Sequence, residues 1–432
     1  MDEFRFASNL SEATLSQLSR SRKEPERESK KRLEAFRVFQ SQNWPTNRDE
    51  EWRRSNLKYL DTLDFSLDWS ISNALKREIS QLTANGYLAK LEQVDSGRTE
   101  LRTSSQLPSG VIFDDLEQAL REHPDLPGQC EELISAEEGK FSAFNKAFWN
   151  KGVFLWVPKN TEVSIPLYSH LLMEGQKWGV LPLTKVVVGE NSRVTLIDDY
   201  SSTDQKEASF CNAASEIHLK ANSQLTYVNV QRWGENVYNI MRQKAKLERD
   251  ARLTTLNISL GSESSRSEIE TIMAGTGANA KMFGLALGRG RQYFEQHTRQ
   301  AHVSPQTTSD LLFKSVLFDQ SRVTFSGMIQ IEKQAQKSDA YQANRNLLLS
   351  DKARVDTLPK LEILANDVRC THGATAGPID PEQFFYLTSR GIAGQEAKFL
   401  IASGFFQEIL GQFPDGEFKE TIHSYLNQKI LS

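Results

Sequence analysis

Residues 185–258 read KVVVGENSRVTLIDDYSSTDQKEASFCNAASEIHLKANSQLTYVNVQRWGENVYNIMRQKAKLERDARLTTLNI, and this run decides the fold. Three times it sets turn residues ahead of a short β-prone segment: Asn191-Ser-Arg-Val194, Asn222-Ser-Gln-Leu225 and Asp250-Ala-Arg-Leu253. The motif continues outside it at Asn279-Ala280, Gln320-Ser-Arg-Val323 and Lys352-Ala-Arg-Val355. These starts recur at roughly 30-residue intervals, stretched once around 280–320. Such a repeat means stacked units, none of which buries its own apolar face. The segments between are β-rich runs, Val153–Val157, Val163–Leu172, Lys185–Val188, Val194–Ile197, Glu216–Leu219, Leu225–Val230 and Leu253–Ile258, with no helical pattern between them. A sandwich would show less regular turns, so the sequence predicts a parallel β-helix from Gly152 to about Val368.

Working outward, the flanks are helical. Residues 1–151 form an N-terminal helical region, in which Leu15, Leu18, Leu33, Phe36 and Phe39 fall at helical spacing. Pro45 interrupts, and capping residues at 46–50 start a new segment through Trp52, which reads as core packing. Weak helix is expected around 70–83 and a firmer one over 114–122, before a loop holding the lone thiol Cys130. Residues 369–432 form a C-terminal helical domain. Asp380, Pro381 and Gln383 read as an N-cap, a first-turn proline and a capping-box partner, opening a helix over 381–390 that stops at Gly391. The next helix carries Phe399, Leu400, Phe405, Phe406, Ile409 and Leu410, more apolar than one stripe requires. That surplus must cover something: the open end of the solenoid, or a partner.

The 432 residues suffice for a substantial core. A net charge of −4 supplies no basic footprint for nucleic acid. The charged run 20–37 mixes both signs and reads as a solvated helix face rather than a phosphate or membrane patch. MDEFRFASNL lacks a signal-peptide core, an Arg-rich transit peptide is missing, and no run approaches a membrane span. Three widely separated cysteines, at 130, 211 and 370, suit a reducing compartment. A cytoplasmic protein is expected, or a plastid stromal one if the chain is a mature organellar form.

Catalytic signatures are few. No phosphate-binding loop, nucleophile elbow, His-Glu-x-x-His or paired zinc cysteines occur. The run Gly284-x3-Gly288-x-Gly290 reads as solenoid turns, and the acidic pair Asp198-Asp199 as solvated turn residues. What remains is Cys370-x-His372 at the end of a short apolar strand. Soft thiolate and imidazole suit iron, zinc or an iron–sulfur cluster. Reading the two as opposite-facing residues, we expect them to meet a common ion only where the strand ends or where a second chain supplies ligands. The commoner alternative is a buried thiol and a hydrogen-bonded imidazole. His297 and His302 read as packing and strand-edge hydrogen bonds.

The run LEI…DV-x-C-x-H-G-A-T…G…D…FYL-x-SRGI over 361–392 resembles the C-terminal core of the SufB/SufD family of iron–sulfur cluster assembly proteins. PTNRDEEW at 45–52, FNKAFWNKGVFLWVP at 144–158 and the region 297–350 match as well. Gly373 stands where SufB-type chains carry glutamate, and the SufB cysteine-rich N-terminal stretch is missing, so the resemblance is to the SufD branch. It implies the same β-helix and a non-catalytic scaffold subunit. That subunit would pair with SufB through the β-helix and dock the SufC ATPase through C-terminal helices, with Phe399, Leu400, Phe405, Phe406 and Ile409 as anchors. ATP would bind SufC, not this chain. The resemblance further implies that His372, with Cys370, contributes to a transient cluster or iron site shared with SufB, and that a homodimer forms when SufB is absent. Two other readings stay open: a primary scaffold of the SufB kind, and a polysaccharide-acting β-helix enzyme.

Overall fold

The computed structural model describes residues 10–57, 65, 67, 86–95, 97, 99–126, 130–203 and 206–431; the helix expected around 70–83 lies outside them. The chain opens with helices α1 (Glu12–Ser21) and α2 (Glu26–Ser41), then strands β1 (Ala89–Val94), β2 (Thr99–Thr103) and β3 (Ile112–Asp115). Helices α3 (Leu116–Glu122) and α4 (Lys140–Phe148) follow. Next come β4 (Lys151–Val157), β5 (Leu167–Met173), β6 (Gly179–Val180), β7 (Pro182–Val188), β8 (Arg193–Ser202), β9 (Ser209–Leu219), β10 (Gln224–Arg232), β11 (Val237–Leu247) and β12 (Arg252–Ser259). The solenoid continues through β13 (Ser264–Met273), β14 (Asn279–Gly288), β15 (Tyr293–His302), β16 (Thr308–Leu317), β17 (Arg322–Ile331), β18 (Asp339–Leu348), β19 (Arg354–Ile363) and β20 (Arg369–Pro378). Helices α5 (Pro381–Ser389), α6 (Gly394–Leu410) and α7 (Glu417–Leu431) close the chain.

Alternate strands go to alternate sheets. One sheet runs β2-β1-β5-β8-β10-β12-β14-β16-β18-β20, and the facing sheet runs β19-β17-β15-β13-β11-β9-β7-β4-β3. Every neighbouring pair is parallel except β1–β2 and β3–β4, where antiparallel strands end the two ladders. The expected parallel β-helix is present. It starts earlier and ends later than Gly152–Val368: the N-terminal region contributes β1 and β3, and β20 carries the solenoid to Pro378. The helical C-terminal unit therefore begins at Pro381, with Asp380 as N-cap accepting from the Glu382 N–H at 2.9 Å.

The recurrent turn has a backbone cause. Asn160, Asn191, Asn222, Asp250, Gly277, Gln306 and Lys337 all hold φ between +55° and +75°, the left-handed region that Asn, Asp and Gly tolerate best. Each stacks on the next: the Asn191 N–H donates to the Ala221 carbonyl, Asn222 to Arg249, Asp250 to Thr276 and Gln306 to Gln336. Side chains repeat the ladder, Asn222 Nδ2 donating to Asn191 Oδ1 at 2.8 Å and Asn191 Nδ2 to Asn160 Oδ1 at 3.0 Å. The stretch in the repeat around 280–320 is a change of corner. Gln320 and Lys352 open β17 and β19 at the opposite corner, whereas the first corner continues at Gln306 and Lys337.

Inside, aliphatic residues such as Leu155, Val188, Leu196, Leu219 and Leu253 stack in files and are fully buried. Val111 and Phe113, with Leu107 packed against them, fill this core at the N-terminal end. Outside, α1, α2 and α4 set Phe36, Phe39, Phe144 and Phe148 against Phe210 and Ile240 of the second sheet. On the first sheet, Phe406, Ile409, Phe418 and Ile422 of α6 and α7 pack over Val228, Val230, Ile258 and Leu285. The C-terminal helices thus cover the side of the solenoid, not its open end.

Candidate functional site

The last rung is left open. β19 pairs only with β17 and β20 only with β18, and both strands are largely exposed among the described residues. The Arg354 N–H bonds to Ser321 and the Leu364 N–H to Ile331 across an unbroken parallel register. In a parallel ladder each residue directs its N–H and C=O to one side, alternating along the strand. The even-numbered residues of β19 therefore bond inward, and Val355, Thr357, Pro359, Leu361 and Ile363 face the empty edge. Pro359 occupies an outward position, where its missing N–H breaks no ladder bond. On β20 the Arg369 N–H bonds to Ser338, so the even-numbered residues, Cys370 and His372 among them, face outward along the edge.

The side chains follow a second alternation. Cys370 pairs with Ala340 and packs on the apolar cluster of Ile329, Ile331, Ala335 and Ala365, inside the last rung. His372 is two residues on, paired with buried Gln342, so it belongs to the same inward file and lines the open mouth. The opposite-face expectation is wrong, because positions two apart on a strand share a face. Gly373 lies on the other face, on Tyr341's side, where an added Cβ would come within 3.9 Å of the Tyr341 hydroxyl. Burial, with Asp339 nearby, pushes the Cys370 thiol up from its ordinary pKa, so it is a neutral thiol at neutral pH. His372 is exposed. Among the described residues no three His, Cys, Asp or Glu side chains converge on a metal position. A soft thiol and an imidazole on one file fit iron or a cluster in donor chemistry but leave a tetrahedral set incomplete.

Neither of the other two histidines belongs to this mouth. His302 is buried on β15, two strands in from the β19 edge, with Nδ1 bonded to Thr307 at 2.8 Å and Nε2 to Ser309 at 2.9 Å. Burial pushes its pKa down to about 4. His297 lies on the outer face beside Glu295 at 3.2 Å and Arg266 at 2.9 Å. Arg266 also stacks on the Trp52 ring at 3.8 Å. Asp198 and Asp199 are not solvated turn residues: both sit within β8 and are fully buried. Asp198 accepts from Thr184, Tyr200 and Tyr227, and Asp199 pairs with Arg232 at 2.5 Å beneath α7.

Of the expected partner anchors, Phe406 and Ile409 are fully buried against the first sheet, Phe399 and Phe405 are partly so, and Leu400 is 41% exposed. More exposed are Phe385 at 71% and Tyr386 at 58%, which the sequence reading passed over. The run QFFYL puts four apolar residues in succession on the short helix α5, which cannot bury them all, and that was the available signal.

An open-ended parallel β-solenoid with a thiol–imidazole file at its mouth is the class that fold and site define. The family model described as SUF system FeS cluster assembly, SufBD core domain matches residues 171–405, more than half of the chain, and the SufBD protein N-terminal region matches 19–168. An iron-sulfur cluster assembly SufBD family protein of Synechocystis is 29% identical over 89% of this chain and 87% of its own length. The iron-sulfur cluster assembly protein SufD of Bacillus subtilis is 31% identical over 78% of each chain, and SufB of the same organism is 28% identical over 71% of this chain and 66% of its own. The chain belongs to the SufBD family of the SUF iron–sulfur cluster assembly system. Among the described residues no helix is long and apolar enough to cross a membrane.

Proposed function

We propose that this chain is a SufD-type, non-catalytic subunit of a cytoplasmic SUF assembly scaffold. Its open end pairs with a SufB-type β-helix, and Cys370 and His372 become part of a site for nascent cluster or iron, the cargo of the complex. The observation that carries the reading is the incomplete donor set on an unpaired edge: the ligands that are lacking must come from the strand that completes the edge. Pairing there also excludes water from the mouth, which strengthens any charge-assisted contact within it.

The C-terminal helices dock a SufC ATPase. Because Phe406 and Ile409 are held in the helix–sheet contact, the docking surface consists of Leu400 with Phe385 and Tyr386, backed by Phe399 and Phe405. Nucleotide binds the ATPase subunit and reaches this chain as movement of α5–α7 relative to β20, from which α5 directly follows. Burial of the Asp198-Asp199 pair removes the exposed acid cluster that a polysaccharide-acting β-helix would need.

Co-purification with the SufB and SufC partners, wild type beside His372→Ala, with anaerobic iron and sulfide analysis, tests this. The mutant is expected to assemble normally and carry little cluster. Wild-type loading would reduce the Cys-x-His to structure. Stable cluster on the chain alone would instead favour a SufB-like primary scaffold.

A further inference from the structure

The stretch PTNRDEEW at 45–52 takes no part in the open mouth. It crosses the outer face of the second sheet as a strap with one short helical turn, Glu50–Trp52, and is pinned there from below. The Arg266 guanidinium on β13 donates to the Glu51 carbonyl at 3.0 Å and stacks on the Trp52 ring, while the Ser55 hydroxyl donates to Glu295 at 2.8 Å. The Tyr293 hydroxyl adds a bond to the Arg54 carbonyl at 2.9 Å. Between this strap, the first turns of α4 and strands β9, β11 and β13 lies a cavity of about 590 Å³, within the range of small-ligand sites.

The walls of this cavity favour one kind of ligand. Trp44, Trp52 and Phe141 supply π-faces, with ring centroids 5.1 Å apart for Trp44–Phe141 and 5.4 Å for Trp52–Phe141. Two side-chain amides line it, and both spend their N–H groups on backbone carbonyls: Asn145 on those of Pro182 at 3.1 Å and Asn212 at 2.7 Å, Gln42 on those of Ala136 and Glu137. Both amide oxygens are buried without a partner among the described residues, and Asn145 is only 1% exposed. A buried acceptor left without a donor costs stability that a donating ligand recovers. Charge points the same way, since five carboxylates line the cavity against two cations. Both cations are committed, Lys140 to the Phe39 and Gln42 carbonyls and Arg242 to Glu138 and Glu268. The exposed strap supplies the surplus: among the described residues Glu51 makes no ion pair, and Glu50 has only Lys360 at 3.8 Å.

A ligand for these walls carries positive charge, offers N–H donors and is flat enough to lie on an indole. The guanidinium group has all three properties: it is planar, holds five N–H donors and no acceptor, stacks on aromatic faces and sheds water more readily than an ammonium. We infer that the cavity beneath the strap is a guanidinium-binding site. Trp44 and Trp52 take the plane of the cation, the Asn145 and Gln42 oxygens accept its N–H groups, and Glu50 and Glu51 meet its charge at the entrance. The guanidinium comes from a free small molecule or from an arginine side chain of a partner, and the same chemistry reads both. Planar ligands bearing phosphate are turned away by the carboxylates. The site lies on the outer face, apart from Cys370 and His372, and its occupancy is independent of cluster assembly.

Isothermal titration calorimetry on the full chain tests this with N-acetyl-arginine amide as probe. N-acetyl-citrulline amide serves as its neutral isostere and N-acetyl-lysine amide as a cation of different shape. The arginine probe is expected to bind about tenfold or more tightly than either. Agmatine, titrated beside it, separates the sources: tighter agmatine binding assigns the site to a free small molecule, and tighter binding of the amide assigns it to a polypeptide side chain. Glu50→Gln combined with Glu51→Gln is expected to weaken the arginine probe about tenfold and to leave thermal stability unchanged, because both side chains are exposed. Ser142→Phe, filling the cavity from α4, is expected to abolish binding, and the double glutamine variant keeps the test decisive should that substitution unfold the chain. A wild type that does not bind the arginine probe overturns the site, as does equal binding of the citrulline or lysine amide, or a double glutamine variant that binds as wild type does.

Discussion

The Glu216 carboxylate lies between two ammonium groups, Lys146 at 2.7 Å and Lys185 at 2.5 Å, and also accepts the Ile134 N–H at 2.9 Å. Burial raises its pKa, but the two lysines outweigh burial and hold it at about 2. A carboxyl depressed from 4.5 to about 2 contributes about 3 kcal/mol of stability above pH 4.5, lost as the pH falls toward 2. Glu216→Gln should remove that acid-side wave from urea unfolding and, by leaving buried Lys185 uncompensated while Lys146 keeps Glu132 at 2.8 Å, destabilise the fold by about 3–5 kcal/mol at neutral pH. Asp198 behaves oppositely. Burial raises its pKa, only partly offset by hydroxyl donors Tyr227, Tyr200 and Thr184, so the cost of keeping it ionised grows as pH rises. Asp198→Asn should therefore gain stability over wild type from acid to neutral pH. Asp198→Leu takes the shared acceptor from three buried hydroxyls, of which Tyr227 keeps Ser215 at 3.1 Å, and should lose about 1–3 kcal/mol. None of this was legible beforehand. Adjacent acids on a strand face opposite sides, and the sequence gives no local sign that the outer side is itself roofed by α7.

At the scale of elements, the repeat was readable because its cause is local. A left-handed turn residue is demanded once per rung, and Asn or Asp supplies it at 160, 191, 222 and 250. Asn191→Gly should be nearly neutral, while Asn191→Ala, strained at φ +55° and without its side-chain ladder, should cost about 1–2 kcal/mol in chemical unfolding. Strand ends and the change of corner were not readable, because they depend on which rung lies above. The C-terminal helices were half readable. Their excess of apolar residues announced a covered surface, but which surface depends on the outer file Val228, Val230, Ile258 and Leu285, far away in sequence. Phe406→Ala should cost about 3–5 kcal/mol and expose α6 and α7 to protease. Leu400→Ala should change stability by no more than about 0.5 kcal/mol; the proposed docking of the ATPase predicts its effect in co-purification instead.

For the whole molecule, the two ends of the solenoid differ. Antiparallel β2 and β3 end the ladders at one end, where Val111 and Phe113 fill the core, and at the other end β19 and β20 are each paired along one edge only among the described residues. Cys370 and His372 were found in the sequence because their chemistry is rare. That they share a file at an open mouth follows only from the rung beneath them. In a stack stabilised by neighbours, the last rung has one neighbour instead of two and opens with the least free energy. Hydrogen exchange on the chain held as monomer should therefore show β8–β16 amides protected to the global limit and β19 and β20 exchanging first. Adding any strand partner should then protect β19 in alternation: Val355, Thr357, Leu361 and Ile363 slow strongly, while Asp356, Leu358, Lys360 and Glu362, already bonded to β17, change little. Uniform slowing of both sets would mean that the partner stabilises the rung as a whole without pairing to its edge, and the strand-addition account of the open end would fail.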